Sequence, residues 1–115
     1  MINTELIKTI KTLKKASKTK SQKIWAALAE DLDKPKRIRV AVNLSQINRH
    51  SKPDDIIAVP GKILASGALE HSLTIAAYSF SEGALEKIEL AKGKAVSLTS
   101  LLDDGVEPSK IKIIK

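Results

Sequence analysis

Apolar positions near the start of the chain recur every three or four residues. From Thr4 to about Lys18, Ile2, Leu6, Ile10 and Leu13 fall on one narrow stripe, and Lys8, Lys11 and Lys15 fall opposite. That spacing predicts an amphipathic helix. A second helix is expected to run to about Leu32, with Ile24, Trp25, Leu28 and Leu32 as its buried face. Thr19 or Ser21 is placed to cap it, and Thr19 with Gln22 has the spacing of a capping box. Asp33-Lys34-Pro35 then ends the helix, because proline disfavours helical geometry in the residue before it.

After Pro35 the rhythm shortens. Ile38, Val40 and Val42 alternate with Arg37, Arg39 and Ala41, as in a strand with one buried face. Asn43 is a cap for a short helix over Leu44–Arg49, with Leu44 and Ile47 inward, which delivers Arg49, His50 and Lys52 to one loop. Asp55–Val59, apolar from Ile56 onward, has the pattern of a strand buried on both faces. Pro60-Gly61 has the residue order of a type II turn, so a return strand is expected over Ile63-Leu64-Ala65, with another turn at Ser66-Gly67.

Leu73–Phe80 reads as a second buried strand. Ser79 or Ser81 caps the helix after it, with Ala84, Leu85, Ile88 and Ala91 inward and Lys92-Gly93 at its C-terminal end. Ala95–Leu98 is a strand, Ser100–Asp104 a helical turn closed by Gly105, and Lys110–Ile114 a final strand. The order gives an α/β core domain over 35–115, preceded by a basic helical N-terminal extension over 1–34 and forming one structural unit with it.

Composition narrows the function. At 115 residues the chain has the length of one domain. No apolar run reaches the length of a membrane span, and the lysine-dotted N-terminus is no signal peptide. Cysteine is absent, which excludes disulfides, thiol nucleophiles and cysteine zinc sites and fits a reducing, cytosolic setting.

The net charge of +7 is unevenly spread. Residues 1–52 hold thirteen Lys/Arg against four acids, whereas residues 53–115 hold seven against nine. Seven lysines fall within residues 8–23 with no acid among them, unlike the mixed charges of an ordinary solvated helix. One face for a polyanion and one body for folding is the resulting picture. The only rings are Trp25, Tyr78 and Phe80, so phosphate and shape should dominate over base stacking. A helix-turn-helix fits poorly, because the second helix ends in Glu30, Asp31 and Asp33.

Catalytic motifs are missing. His50 and His71 lie far apart with no HExxH or HxH pattern, and His71 reads as exposed in a turn. The pairs Asp54-Asp55 and Asp103-Asp104 sit where turns and caps use aspartate. Pro60-Gly61-Lys62 lacks the upstream glycine and following Ser/Thr of a phosphate loop. Asn43-Leu44-Ser45 matches a glycosylation acceptor only by composition.

The segments NLSQIN (43–48), IIAVPGKILASG (56–67) and LTIAAYSFSEGALEKI (73–88) occur in the order and spacing of one family. The chain resembles the archaeal and eukaryotic large-subunit ribosomal protein numbered eighteen in the "e" series, a relative of bacterial large-subunit protein fifteen. Its length resembles the compact archaeal form. Two departures stand out: Lys92-Gly93-Lys94 where a glycine pair is expected, and Gly83 in the first turn of its helix.

The resemblance implies a single domain of irregular repeated strand–strand–helix turns. It implies a structural constituent of the large ribosomal subunit in the cytoplasm, without catalysis, cofactor, metal, membrane or small-molecule substrate. The implied partners are large-subunit ribosomal RNA and neighbouring ribosomal proteins, with a monomer outside the ribosome. The candidate RNA-binding residues are Lys8, Lys11, Lys15, Lys18, Lys20 and Lys23 from the helices, continued by Arg37, Arg39, Arg49, His50, Lys52 and Lys62. The arginines are the sharper candidates because guanidinium engages phosphate bidentately. The rival reading is a nonspecific nucleic-acid-coating protein of nucleoid type, which explains the charge but not the strand pattern.

Overall fold

A computed structural model of the chain describes residues 4–34 and 40–115. Its elements in order are α1 (Thr4–Lys20), α2 (Lys23–Leu32), β1 (Val40–Asn43), α3 (Leu44–Arg49), β2 (Ile56–Leu64), β3 (Thr74–Phe80), α4 (Glu82–Leu90), β4 (Lys94–Ser97), α5 (Leu98–Asp103) and β5 (Ile111–Ile113). The alternation expected over Arg37–Arg39, and Ile2 of the first apolar stripe, lie outside the described residues.

All the strand pairings are parallel. The sheet runs β1-β2-β3-β4, and β5 pairs with the first half of β2, at Ile56–Ala58, while β1 pairs with its second half, at Gly61–Leu64. Two β–helix–β crossovers, through α3 and α4, step across the sheet in one direction, whereas the connection through α5 steps back. Right-handed crossovers in opposite directions must lie on opposite faces. The core divides accordingly. Val42, Ile57, Val59, Ile63 and Ile75 pack under α3 and α4, through Leu44, Ile47, Ala84 and Ile88. Ala58, Ala76 and Ile111 meet Leu13, Trp25, Leu28 and Leu101 of α1, α2 and α5 on the other face. The N-terminal helices therefore share a core with the sheet.

The middle of β2 corrects the sequence reading. Pro60-Gly61 makes no turn; β2 runs unbroken through it, and Ile63 continues the same strand. Val59 pairs with Ala77 and Lys62 with Ser79, so two residues of β2 oppose Tyr78 alone. Such a bulge is where a strand tolerates a proline without an N–H. Gly61 is needed for proximity: a Cβ there would lie 1.9 Å from the Val40 carbonyl oxygen of β1.

Helix ends follow local chemistry with two corrections. As the sequence predicts, Asn43 is the N-cap of α3 and Ser81 that of α4, where Ser81 Oγ accepts from the Ala84 N–H (3.2 Å); at α3 the Asn43 N–H also donates to Gln46 Oε1 (3.3 Å). The Thr19–Gln22 capping box does not form, because α1 continues through Thr19 and the Gln22 side chain accepts instead from Trp25 Nε1 (2.6 Å). Leu85, expected inward, is 44% exposed; only the i, i+4 pair Ala84 and Ile88 is buried under this short helix.

At the end of α4 the Lys92 and Gly93 N–H groups reach the Glu89 and Ile88 carbonyls, a Schellman closure. Lys92, at φ 62, occupies the left-handed position that glycine usually fills. Lys92→Gly should stabilise the protein by about 0.5–1 kcal/mol, measured as a raised urea midpoint at constant m.

Candidate nucleic-acid interface

α1 is amphipathic because its apolar residues follow the helical repeat. Leu6, Ile10 and Leu13 are buried, and Lys8, Lys11, Lys15 and Lys18 are exposed. At 100° per residue these four lysines fall within one arc on the side away from the core, climbing the helix by about 4.5–6 Å per step. Among the described residues none of the four has an ion pair. They form an ordered stripe of uncompensated charge.

Neighbouring lysines of α1 are engaged within the fold. Lys20 Nζ donates to the Leu102 carbonyl (3.2 Å), which also accepts from the Gly105 N–H (3.1 Å), at the negative end of α5. Lys14 lies 3.8 Å from Asp33 of the α2 cap. Lys23 is exposed at the first turn of α2. Arg37 and Arg39 lie outside the described residues.

The remaining candidates sit elsewhere. Arg49 and His50 end α3, which descends from the C-terminal end of β1 towards the start of β2, so they and Lys52 cluster at the N-terminal edge of the sheet. Lys112 of β5 joins this cluster: its Nζ donates to the His50 carbonyl (3.0 Å) and lies 3.8 Å from Asp55 Oδ2. Asp55 Oδ2 also accepts from the Lys52 N–H (2.8 Å). Lys62 is exposed in the second half of β2, beside Ala41 and Ser79. Six residues of β2 separate it from the edge cluster, roughly 20 Å of strand. Among the described candidates the basic positions thus fall on a helical stripe, in an edge cluster and, at Lys62, on a strand.

Lys112 had no signal in the sequence. It lies 62 positions from His50, and only the pairing of β5 with β2 brings it there.

The rings are committed to packing. Trp25 is 1% exposed, and Tyr78 and Phe80 are half-buried against opposite core layers. His71, expected to be exposed, is half-buried with Nε2 2.9 Å from Ser51 Oγ. The Ser51 hydroxyl donates to the Ile47 carbonyl, so the imidazole donates to Ser51 rather than accepting its proton. That polarity is the reverse of an activated nucleophile. No helix among the described residues is long and apolar enough to cross a membrane.

The acidic end of α2 is a structural junction. Asp31 is 5% exposed and bonds to Lys34 (2.8 Å) and Lys115 (2.9 Å), tying the segment after β5 to the helical layer. Burial pushes its carboxyl up, but the hydrogen bonds and charges of Lys34 and Lys115 outweigh this and hold it below the ordinary aspartate value. A carboxyl depressed in the folded state stabilises fully above its unfolded pKa, about 4, and loses that contribution as pH falls through its folded value. Asp31→Asn should therefore cost about 1–3 kcal/mol at pH 7 and make the acid-side fall in stability shallower, as read by urea denaturation at neutral and acid pH.

The fold and charge define a basic α/β protein with one lysine-faced helical layer. Residues 20–96 match the family model described as ribosomal proteins 50S-L15, 50S-L18e and 60S-L27A. "Large ribosomal subunit protein eL18" from Methanothermobacter thermautotrophicus is 43% identical over 113 residues, covering 98% of this chain and 93% of the relative. The proteins of the same name from Methanoregula boonei and Sulfolobus acidocaldarius are 42% and 45% identical, over 98% and 89% of this chain and 93% and 83% of theirs. The chain belongs to this family, the one its strand segments resemble.

Proposed function

We propose that the protein is a structural constituent of the large ribosomal subunit in the cytoplasm, binding large-subunit ribosomal RNA and supporting translation without catalysis or cofactor. The observation that carries this reading is the correspondence, over nearly the whole chain, with proteins named as belonging to that subunit. The unpaired α1 stripe gives it a physical basis. Lys8, Lys11, Lys15 and Lys18 can each neutralise a phosphate, and association is then driven by counterion release.

Lys23, Arg49, His50, Lys52 and Lys62 supply further phosphate contacts from other parts of the surface, Arg37 and Arg39 add theirs from the stretch of sequence before β1, and Lys20 is partly committed to α5. Residues 1–34 and 35–115 act as one unit, monomeric until assembly. Because phosphate contacts alone carry no sequence information, recognition rests on RNA shape. Competition between a structured large-subunit rRNA fragment and duplex DNA of equal length tests this. The rRNA should win by at least an order of magnitude, and equal affinity would favour a nucleic-acid-coating protein instead.

A further inference from the structure

Unlike the lysine-rich α1, α4 is acidic, with three glutamates against Lys87. This helix lies on the sheet face opposite α1 and carries Glu82, Glu86 and Glu89 along its solvent side, all exposed and without ion pairs among the described residues. Spacings of three and four residues set these carboxylates against one another, a local penalty that mixed charges would avoid.

Apolar surface accompanies them. Leu90, at the last helical position, is 82% exposed, and it borders an open groove of about 240 Å³ lined also by Gly67, Ala68, Leu69 and Ala91. Leu85 is 44% exposed on the other flank of the acidic line. The one ammonium in the groove wall is already engaged, because Lys87 Nζ donates to the Ala65 and Gly67 carbonyls at 2.6 and 2.7 Å. A single exposed leucine is ordinary. Here the most exposed leucine adjoins an apolar recess and an uncompensated acidic line.

We propose that the outer face of α4, around Leu90, Glu86 and Glu89, docks a lysine- or arginine-rich segment of a neighbouring protein, with an apolar side chain seated in the groove beside Leu90. This rests on the ribosomal reading. Charge complementarity selects the occupant: the carboxylates repel phosphates within a Debye length of about 8–10 Å, while a cationic polypeptide is attracted and its stems cover the leucine. RNA and protein thus meet opposite layers of the same sheet. The contact is small, and simultaneous tethering by RNA raises its effective concentration within the assembly.

The test places p-benzoylphenylalanine at position 90 and incorporates the full chain into large subunits purified on a sucrose gradient. Co-sedimentation is scored first, and failure there contradicts the ribosomal reading and the docking proposal with it. Irradiated subunits should give a crosslink to a basic ribosomal protein. Adding Glu86→Lys and Glu89→Lys should lower its yield on the order of tenfold while co-sedimentation persists. A crosslink to rRNA, no crosslink, or a yield indifferent to charge reversal would overturn the docking proposal and leave the ribosomal reading standing.

Discussion

Replacing Lys8, Lys11, Lys15 and Lys18 together by alanine should weaken binding to a structured large-subunit rRNA fragment on the order of 10²-fold at about 100 mM KCl. The slope of log K against log salt should shrink in magnitude by about 3–4, close to one for each phosphate contact removed. The four side chains are exposed on one arc of α1 and have no ion pairs among the described residues, so no fold contact is lost with them. Alanine is also the best helix former, and α1 should keep its helicity by circular dichroism. Lys14 and Lys20 are left intact because Asp33 and the Leu102 carbonyl engage them. An unchanged slope would show that RNA does not meet this helix.

Gly61→Ala should produce the largest loss of stability of any single methyl addition in the sheet. Its Cβ would stand 1.9 Å from the Val40 oxygen and 2.8 Å from the Val40 carbonyl carbon, both backbone atoms of the paired strand. A flexible side chain could swing away, but β1 has to separate from β2. β1 carries Val42 into the core and leads directly into α3, whose Leu44 and Ile47 are fully buried, so the displacement propagates. We expect a cost of about 3 kcal/mol or more, read from urea denaturation. A variant within about 0.5 kcal/mol of the parent would contradict the close pairing of β1 with the bulged strand.

The same glycine shows where sequence reasoning stops. Proline followed by glycine is ordinary turn chemistry, and nothing local distinguishes a bulge from a reversal. What decides is β1 on one side of β2 and β3 on the other, a tertiary fact. Elements with strong internal signals were legible, among them the α1 stripe, Asn43 and Ser81 at helix starts, and the apolar run of β2. Leu85 had the right spacing for burial, yet the sheet beneath α4 accepts only Ala84 and Ile88.

For the interface, exposure of Lys8, Lys11, Lys15 and Lys18 could be read from the helical period. The engagement of Lys20 by α5 could not, since its partner lies 82 residues away. The separation of Arg49 from Lys62 could not be read either, because α3 carries Arg49 down to the N-terminal edge while Lys62 stays in the second half of β2. Family resemblance supplied the biological setting that charge and periodicity left open.

The most direct measurement is sedimentation of the chain with large ribosomal subunits through a sucrose gradient after a high-salt wash. A built-in constituent, held by many phosphate contacts and by neighbouring protein together, should remain in the large-subunit fraction at near-stoichiometric yield. Recovery at the top of the gradient, or spread across all nucleic-acid-containing fractions, would contradict the account.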